Sequence, residues 1–207
     1  SKKFGTRKRR HEKKQIAQNK YEEAKDEEDI ENMRKYAKQT SRLTPDMIKS
    51  SKELINAMGI PTIFAPSESD AQISFMNEKG DVDYCASSDY DCLLHGATKL
   101  ILNLTLSQKR KLPGNKFVYI QPELIKLQDV LDHLHINQDQ LIVLGILAGT
   151  DYNPGGIKNI GPKKALNLVQ QYKNFDKLFD ELKPEFNWKQ IYAIFKSMPI
   201  MKNYQLR

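Results

Sequence analysis

"IPTIFAPSESDAQISFMNEKGDVDYCASSDYDC", residues 60–92, decides how the chain is read. It opens on the apolar run Ile60-Pro61-Thr62-Ile63-Phe64, expected as a short strand, and passes through a polar loop to a helical pattern over 69–79. Ala71, Ile73, Phe75 and Met76 give that helix its apolar side, and Gly80 stops it. A second strand is expected at 82–86. Strands separated by helical patterns imply an α/β fold with a mostly parallel sheet and flanking helices. In such sheets the chemistry sits on loops at the carboxyl ends of strands. Glu68 and Asp70 follow the first strand, and Asp89 and Asp91 the second.

Working outward, further strands are expected at 99–104 and 117–120, and helices at 124–134 and 138–148. "GTDYNPGGIKNIGPKKALNLVQQY" (149–172) and more helical sequence follow, with Phe175, Leu178, Phe179, Leu182, Trp188, Ile191 and Phe195 as apolar positions. On the other side, Thr44-Pro45 reads as an N-cap and first-turn proline, opening a helix that Gly59 ends. Residues 1–42 lack an apolar stripe. Nine Lys/Arg against one acid in residues 1–20 give way to the acidic run Glu22, Glu23, Asp26, Glu27, Glu28, Asp29, Glu31. Good helix formers without proline predict exposed helix, as a pair bent near 26–29, with a solvated arm as the alternative. Three regions result: a charged helical arm over 1–42, an α/β core over 43–135 and a helical region over 136–207.

The chain of 207 residues is 39% hydrophobic and 29% charged, which describes a globular protein with strongly polar segments. No run approaches the roughly 18 apolar residues of a membrane span, and no signal-peptide core follows the basic start. Cys85 and Cys92 form no metal-type cluster and are expected as small buried hydrophobes in a reducing compartment. His11, His95, His133 and His135 are scattered and read as packing or surface residues. A net charge of +7 and a pI near 9.2 favour a polyanionic partner.

Five acids stand out: Glu68, Asp70, Asp89, Asp91 and Asp151. Adjacent carboxylates repel and raise one another's pKa unless a cation lies between them. Hard oxygen donors without a His/Cys cluster select Mg²⁺ or Mn²⁺ over zinc. Two such ions about 4 Å apart suit phosphodiester hydrolysis. The competing reading makes these acids helix caps and turn residues, Glu68 and Asp70 foremost. In "GGIKNIGPKKAL" (155–166), Gly156 and Gly161 permit turns around Lys158, and Pro162 opens a helix beside Lys163 and Lys164. A helix N-terminus with adjacent lysines suits phosphate. With the apolar helix before it, this makes a helix–turn–helix-like unit that grips a DNA backbone without reading bases; a plain glycine-rich linker is the alternative.

"GIPTIFAPSESDAQ", "ASSDYDCLLHG", "LNLT", "KLP", "GTDYNPGGIKNIGPKKAL" and "NYQL" occur in order across residues 45–206 and resemble the flap endonucleases of the structure-specific 5′-nuclease family, in their archaeal form. The resemblance implies a magnesium-dependent hydrolase of DNA replication and repair, with 5′ flap endonuclease and 5′–3′ exonuclease activity at the single-strand/duplex junction. By motif, Glu68, Asp70, Asp89, Asp91 and Asp151 are implied metal ligands of a two-ion site, although the family usually has glutamate where Asp70 stands. Residues 156–161 are the implied helix–turn–helix loop, holding K⁺ on backbone carbonyls and contacting duplex phosphates with support from Lys163 and Lys164. Residues 1–42 would form the helical arch, with Lys3 and Arg10 as its catalytic basic residues by ungapped counting from Gly59.

The family also has an N-terminal segment with two further aspartates, before the point where this chain starts. The expectation is therefore an incomplete 5′-nuclease core, inactive or poorly active alone and restored by that segment in trans. Branched or flap DNA is the implied partner, with the sliding clamp as partner of the complete protein through a peptide absent here. The implied location is cytoplasmic for an archaeal-like protein, nuclear if eukaryotic, with no membrane. A non-catalytic DNA-binding module is the competing function.

Overall fold

The computed structural model describes residues 4–40, 43–105, 108–112 and 116–206. The chain divides into two compact units, one of residues 1–63 with 204–207 and one of residues 64–203.

In the first unit, α1 (Phe4–Asp26) and α2 (Ile30–Thr40) pack against each other across a turn at the acidic stretch, as the composition predicts. Ala17 and Ala24 are buried, so small side chains allow close approach in an otherwise charged sequence. Asp29 opens α2: its carboxylate accepts from the Asn32 backbone N–H at 3.0 Å and from the Asn32 amide at 2.7 Å. Those bonds hold the Asp29 carboxyl below its usual range. The third helix, α3 (Pro45–Ala57), starts as expected, with Thr44 Oγ1 accepting from Met47 N–H at 3.2 Å.

The second unit begins with α4 (Ser69–Glu78), β1 (Cys85–Ala86), α5 (Asp91–Leu94) and β2 (Lys99–Leu102). A ribbon of β3 (Lys109–Lys111) and β4 (Phe117–Tyr119) follows, then β5 (Glu123–Lys126) and α6 (Leu127–Leu134). Four helices complete it: α7 (Gln138–Ala148), α8 (Pro162–Gln171), α9 (Phe175–Leu182) and α10 (Trp188–Ser197). The sheet has the order β1-β2-β5. Its core side chains include Leu100, Ile142, Val143, Ile146, Leu147 and Phe195, so the strands and the C-terminal helices share one apolar interior.

The α/β class holds, but four expectations about strands are corrected. Residues 60–64 form no strand, and Phe64 is 69% exposed. Extended apolar sequence becomes a strand only where a ladder partner satisfies its backbone. The second strand shrinks to Cys85–Ala86. Residues 117–119 leave the main sheet for an antiparallel ribbon with β3. The helix expected from 124 starts at Leu127, because 123–126 pair antiparallel with β2 in the register Lys99↔Lys126 to Leu102↔Glu123. The sheet is accordingly mixed, with β1 and β2 parallel and β2 and β5 antiparallel.

Asn77, buried at the end of α4, locks this layer together. Its amide donates to the carbonyls of Val82 (3.0 Å) and Asp83 (3.1 Å). Its oxygen accepts from Thr98 N–H (2.8 Å), Thr98 Oγ1 (3.0 Å) and Lys99 N–H (3.0 Å). One side chain thus fixes the entries to β1 and β2, and Asp89 and Asp91 follow the far end of β1.

Candidate active site

Glu68 occupies the N-cap position of α4, yet its side chain makes no capping bond. The helix-cap reading therefore fails for it. Glu68 instead acts on Tyr152, whose phenol its charge helps to push up. Asp70, in the first turn of α4, accepts from the Cys92 thiol at 3.4 Å. Asp91 opens α5 two residues after Asp89, whose Oδ1 lies 3.4 Å from the Asp91 backbone nitrogen. That bond is long enough to be weak. The turn-acid role holds in part for Asp89.

Asp151 lies in a tight loop made by its neighbours. Thr150 and Asn153 form a bridge, and the buried Asn153 side chain accepts from Thr150 N–H and Oγ1 while donating to the Ile146 carbonyl at 2.6 Å. Burial pushes the Tyr152 phenol up; the charge of Glu68, the hydrogen bond to it, and the charges of Asp91 and Asp151 act in the same direction. The charges of three of the five acids, from three separate segments, thus all act on one phenol. Asp70 reaches the same neighbourhood through Cys92, the residue after Asp91.

The donors are all hard oxygens, so in kind they fit a divalent cation such as Mg²⁺ or Mn²⁺. Their spacing is open: among the described residues no group of three or more His, Cys, Asp or Glu side chains is close enough to hold an ion. Lys3 and the side chain of Arg10 lie outside the described residues.

The glycine-rich unit takes the expected form. The loop folds back on the end of α7, with Ile157 N–H donating to the Leu147 carbonyl at 2.9 Å. Gly149 and Gly156 make this crossing possible: a Cβ on Gly156 would lie 2.3 Å from the Leu147 carbonyl oxygen, and one on Gly149 2.7 Å from the Gly156 nitrogen. Gly161 caps α8 without a side-chain bond, and Pro162 takes its first turn. Lys158, Lys163 and Lys164 are exposed around this helix start. The monovalent-cation role of residues 156–161 rests on the resemblance alone.

Sequence reasoning missed the frame behind the acids. The ring of Tyr152 stands edge-on to Phe195 of α10 at 5.7 Å and 85°. Just beyond α10, Met198 Sδ accepts from Ser67 Oγ at 2.9 Å, and Met201 is bonded to Gln72. The only signal in the sequence was the phenol next to Asp151 in "GTDY".

The XPG I-region family matches residues 59–151, which contain all five acids. The flap endonuclease 1 of Staphylothermus marinus is 47% identical over 194 residues, covering 92% of this chain and 55% of that protein. The protein of the same name from Pyrococcus abyssi is 50% identical over 167 residues, covering 80% and 49%. Among solved structures, the flap endonuclease-1 of Methanococcus jannaschii superposes with a TM-score of 0.70 at 43% identity, covering 86% of this chain and 52% of that one. The catalytic core of Rad2 in complex with DNA substrate shares the fold, with a TM-score of 0.61 at 22% identity. The chain spans about half the length of the curated relatives it matches.

Proposed function

We propose that this chain, a homologue of the archaeal flap endonucleases across most of its length, carries the acid half and the duplex grip of a structure-specific 5′-nuclease that cuts DNA flaps at the single-strand/duplex junction. The 47% identity to the flap endonuclease 1 of Staphylothermus marinus over 92% of this chain, with all five acids inside the region matched by the XPG I-region family, carries this reading.

In this proposal Glu68, Asp70, Asp89, Asp91 and Asp151 hold two magnesium ions. When bound, such a pair supplies Lewis acidity for in-line phosphodiester hydrolysis. The carboxylate oxygens of the five acids would be the ligands. The loop over 156–161, with Lys158, Lys163 and Lys164, takes the duplex backbone through phosphates, setting the distance from duplex to junction without reading sequence. A potassium ion on the carbonyls of that loop is part of the proposal, as is a sliding clamp as partner of the whole protein. Lys3 and Arg10 are proposed to stabilise charge developing on the scissile phosphate.

The open spacing of the described acids favours one second reading, a DNA-binding module that does not cut. The two separate in a single assay with 5′-flap DNA, comparing the unaltered chain with Asp91→Asn and Asp151→Asn. Magnesium-dependent cleavage at the junction that falls on the order of a hundredfold in both variants, with flap binding retained, supports the nuclease. Flap binding that neither responds to a divalent cation nor changes in the variants, with no Mn²⁺ bound by the chain, supports the module.

A further inference from the structure

We propose that the β3–β4 ribbon is a stacking platform for single-stranded nucleic acid, with Phe117 and Tyr119 taking unpaired bases and Lys109 meeting the phosphate backbone. The inference rests on the nucleic-acid reading above and adds to it the place where the unpaired strand is held.

The ribbon pairs Lys109 with Tyr119, Arg110 with Val118 and Lys111 with Phe117. Residues directly opposite in an antiparallel pair share a face, and so do residues two apart along one strand. Both aromatic positions of β4 therefore lie on one face, each opposite a lysine position of β3. All three residues of β4 are exposed, Phe117 at 61% and Tyr119 at 73%. Lys109 Nζ stands 5.1 Å from the centre of the Tyr119 ring, so a cation accompanies the aromatic surface and leaves most of it open. Residues 105–122 contain four Lys/Arg and no Asp or Glu. Exposed rings among cations suit a ligand with flat apolar faces and a negative charge at every repeat, which an unpaired nucleic-acid strand supplies.

The spacing selects a single strand over a duplex. Positions two apart on a strand are separated by about 7 Å. Bases of a duplex strand follow one another at about 3.4 Å and are closed by their neighbours. An unstacked strand can splay its bases to meet both rings. The ribbon also branches from the sheet end that leads to the acids. There β1 and β2 run parallel, and Ser87 and Ser88 after β1 line one cavity with Asn103, Leu104 and Thr105 after β2. Asp89 and Asp91 follow those serines, and β3 follows Thr105.

The test is binding of the intact chain to a labelled oligothymidylate and to a strand of equal length built of abasic sites, followed by fluorescence anisotropy. Tyr119→Phe keeps the ring and should bind both strands as the unaltered chain does. Tyr119→Ala and Phe117→Ala should each lose about tenfold on oligothymidylate and nothing on the abasic strand. Lys109→Ala should weaken both and reduce the salt slope by about 0.7. Unchanged oligothymidylate affinity in the two ring-to-alanine variants, or equal losses on both strands, overturns the inference. If an alanine variant misfolds, Tyr119→Leu decides: unchanged oligothymidylate affinity there overturns it. An unaltered chain that binds duplex but not oligothymidylate overturns this inference alone. One that binds neither overturns it together with the nucleic-acid reading.

Discussion

Gln72 closes both hydrogen bonds to the backbone of Met201: its amide donates to the Met201 carbonyl at 2.9 Å, and its oxygen accepts from the Met201 N–H at 2.7 Å. The two residues are 129 positions apart. Gln72 is only 2% exposed, so its side chain acts as a buried substitute for one rung of a strand ladder. It fixes the chain after α10 to the first turns of α4, where Glu68 and Asp70 stand.

Gln72→Ala is therefore expected to cost about 2–3 kcal/mol, since a Met201 donor and acceptor lose their partner in a part-buried setting. Urea denaturation measures this directly. A loss below about 0.5 kcal/mol, within the range of neutral surface changes, would show that the tail after α10 is not held by Gln72.

Asn77 makes five bonds, two as donor and three as acceptor. Asn77→Asp preserves the acceptor geometry and the size but turns the two donated bonds into carboxylate–carbonyl repulsion. The expected loss is about 3 kcal/mol or more at neutral pH, from two unsatisfied carbonyls and a buried charge. Lowering the pH far enough to protonate the new acid should recover part of it, which a plain cavity-forming substitution would not show.

What could be read in the sequence was local. The Thr44 cap, the break between α1 and α2 and the α7–loop–α8 unit all depend on residues a few positions apart, and all appear where expected. The acids were legible because each pair follows an apolar run. Pairing over distance was not legible. Residues 60–64 have strand composition but join no strand, whereas 123–126 sit in a helical pattern and become β5 because β2 lies alongside. Tyr152, Phe195 and the Gln72–Met201 clamp belong to the same class: each matters through a contact that no spacing along the chain announces.

Gly156→Ala tests the crossing of the loop over α7. The added methyl meets backbone at 2.3 Å, and the residue sits at φ +59, so neither space nor conformation accommodates it. The crossing must open, separating Ile157 from Leu147. The expected outcome is a clear fall in melting temperature together with at least tenfold weaker duplex binding. Gly155→Ala, where nothing lies within 4 Å of the new Cβ but φ is +87, should cost only the conformational part, on the order of 1 kcal/mol.

The α7–α10 contact sets a pH dependence at both ends. Asp139 is held below its usual range, chiefly by the hydrogen bond from Lys196, then by that from Tyr192. The folded carboxyl releases its proton more readily than the unfolded one, so its contribution is complete above about pH 4 and disappears as the pH falls through the lower folded value. Tyr192 is pushed up to about 12, mainly by burial and then by Asp139, so its contribution is present below about pH 10 and is lost as the pH rises through 12. Asp139→Asn should flatten the acid limb of a stability profile below pH 4 and reduce the alkaline one. Unchanged limbs in urea midpoints taken across that range would show that this pair does not couple α7 to α10.

Salt dependence separates a phosphate grip from base reading. Lys158, Lys163 and Lys164 are exposed beside a helix start whose cap, Gly161, offers no side-chain acceptor. A lysine that neutralises a phosphate releases a counterion, so log K for duplex binding falls with log salt by a slope of roughly 0.9 per contact. Each of Lys158→Ala, Lys163→Ala and Lys164→Ala should therefore reduce that slope by about 1 and weaken binding equally on duplexes of unrelated sequence. Glu185→Gln, on the chain between α9 and α10, should leave the slope unchanged, because removing an acid releases no counterion. If the lysine variants keep the full slope while losing affinity on some sequences and not others, the loop is reading bases. Phosphates would then not be what it holds.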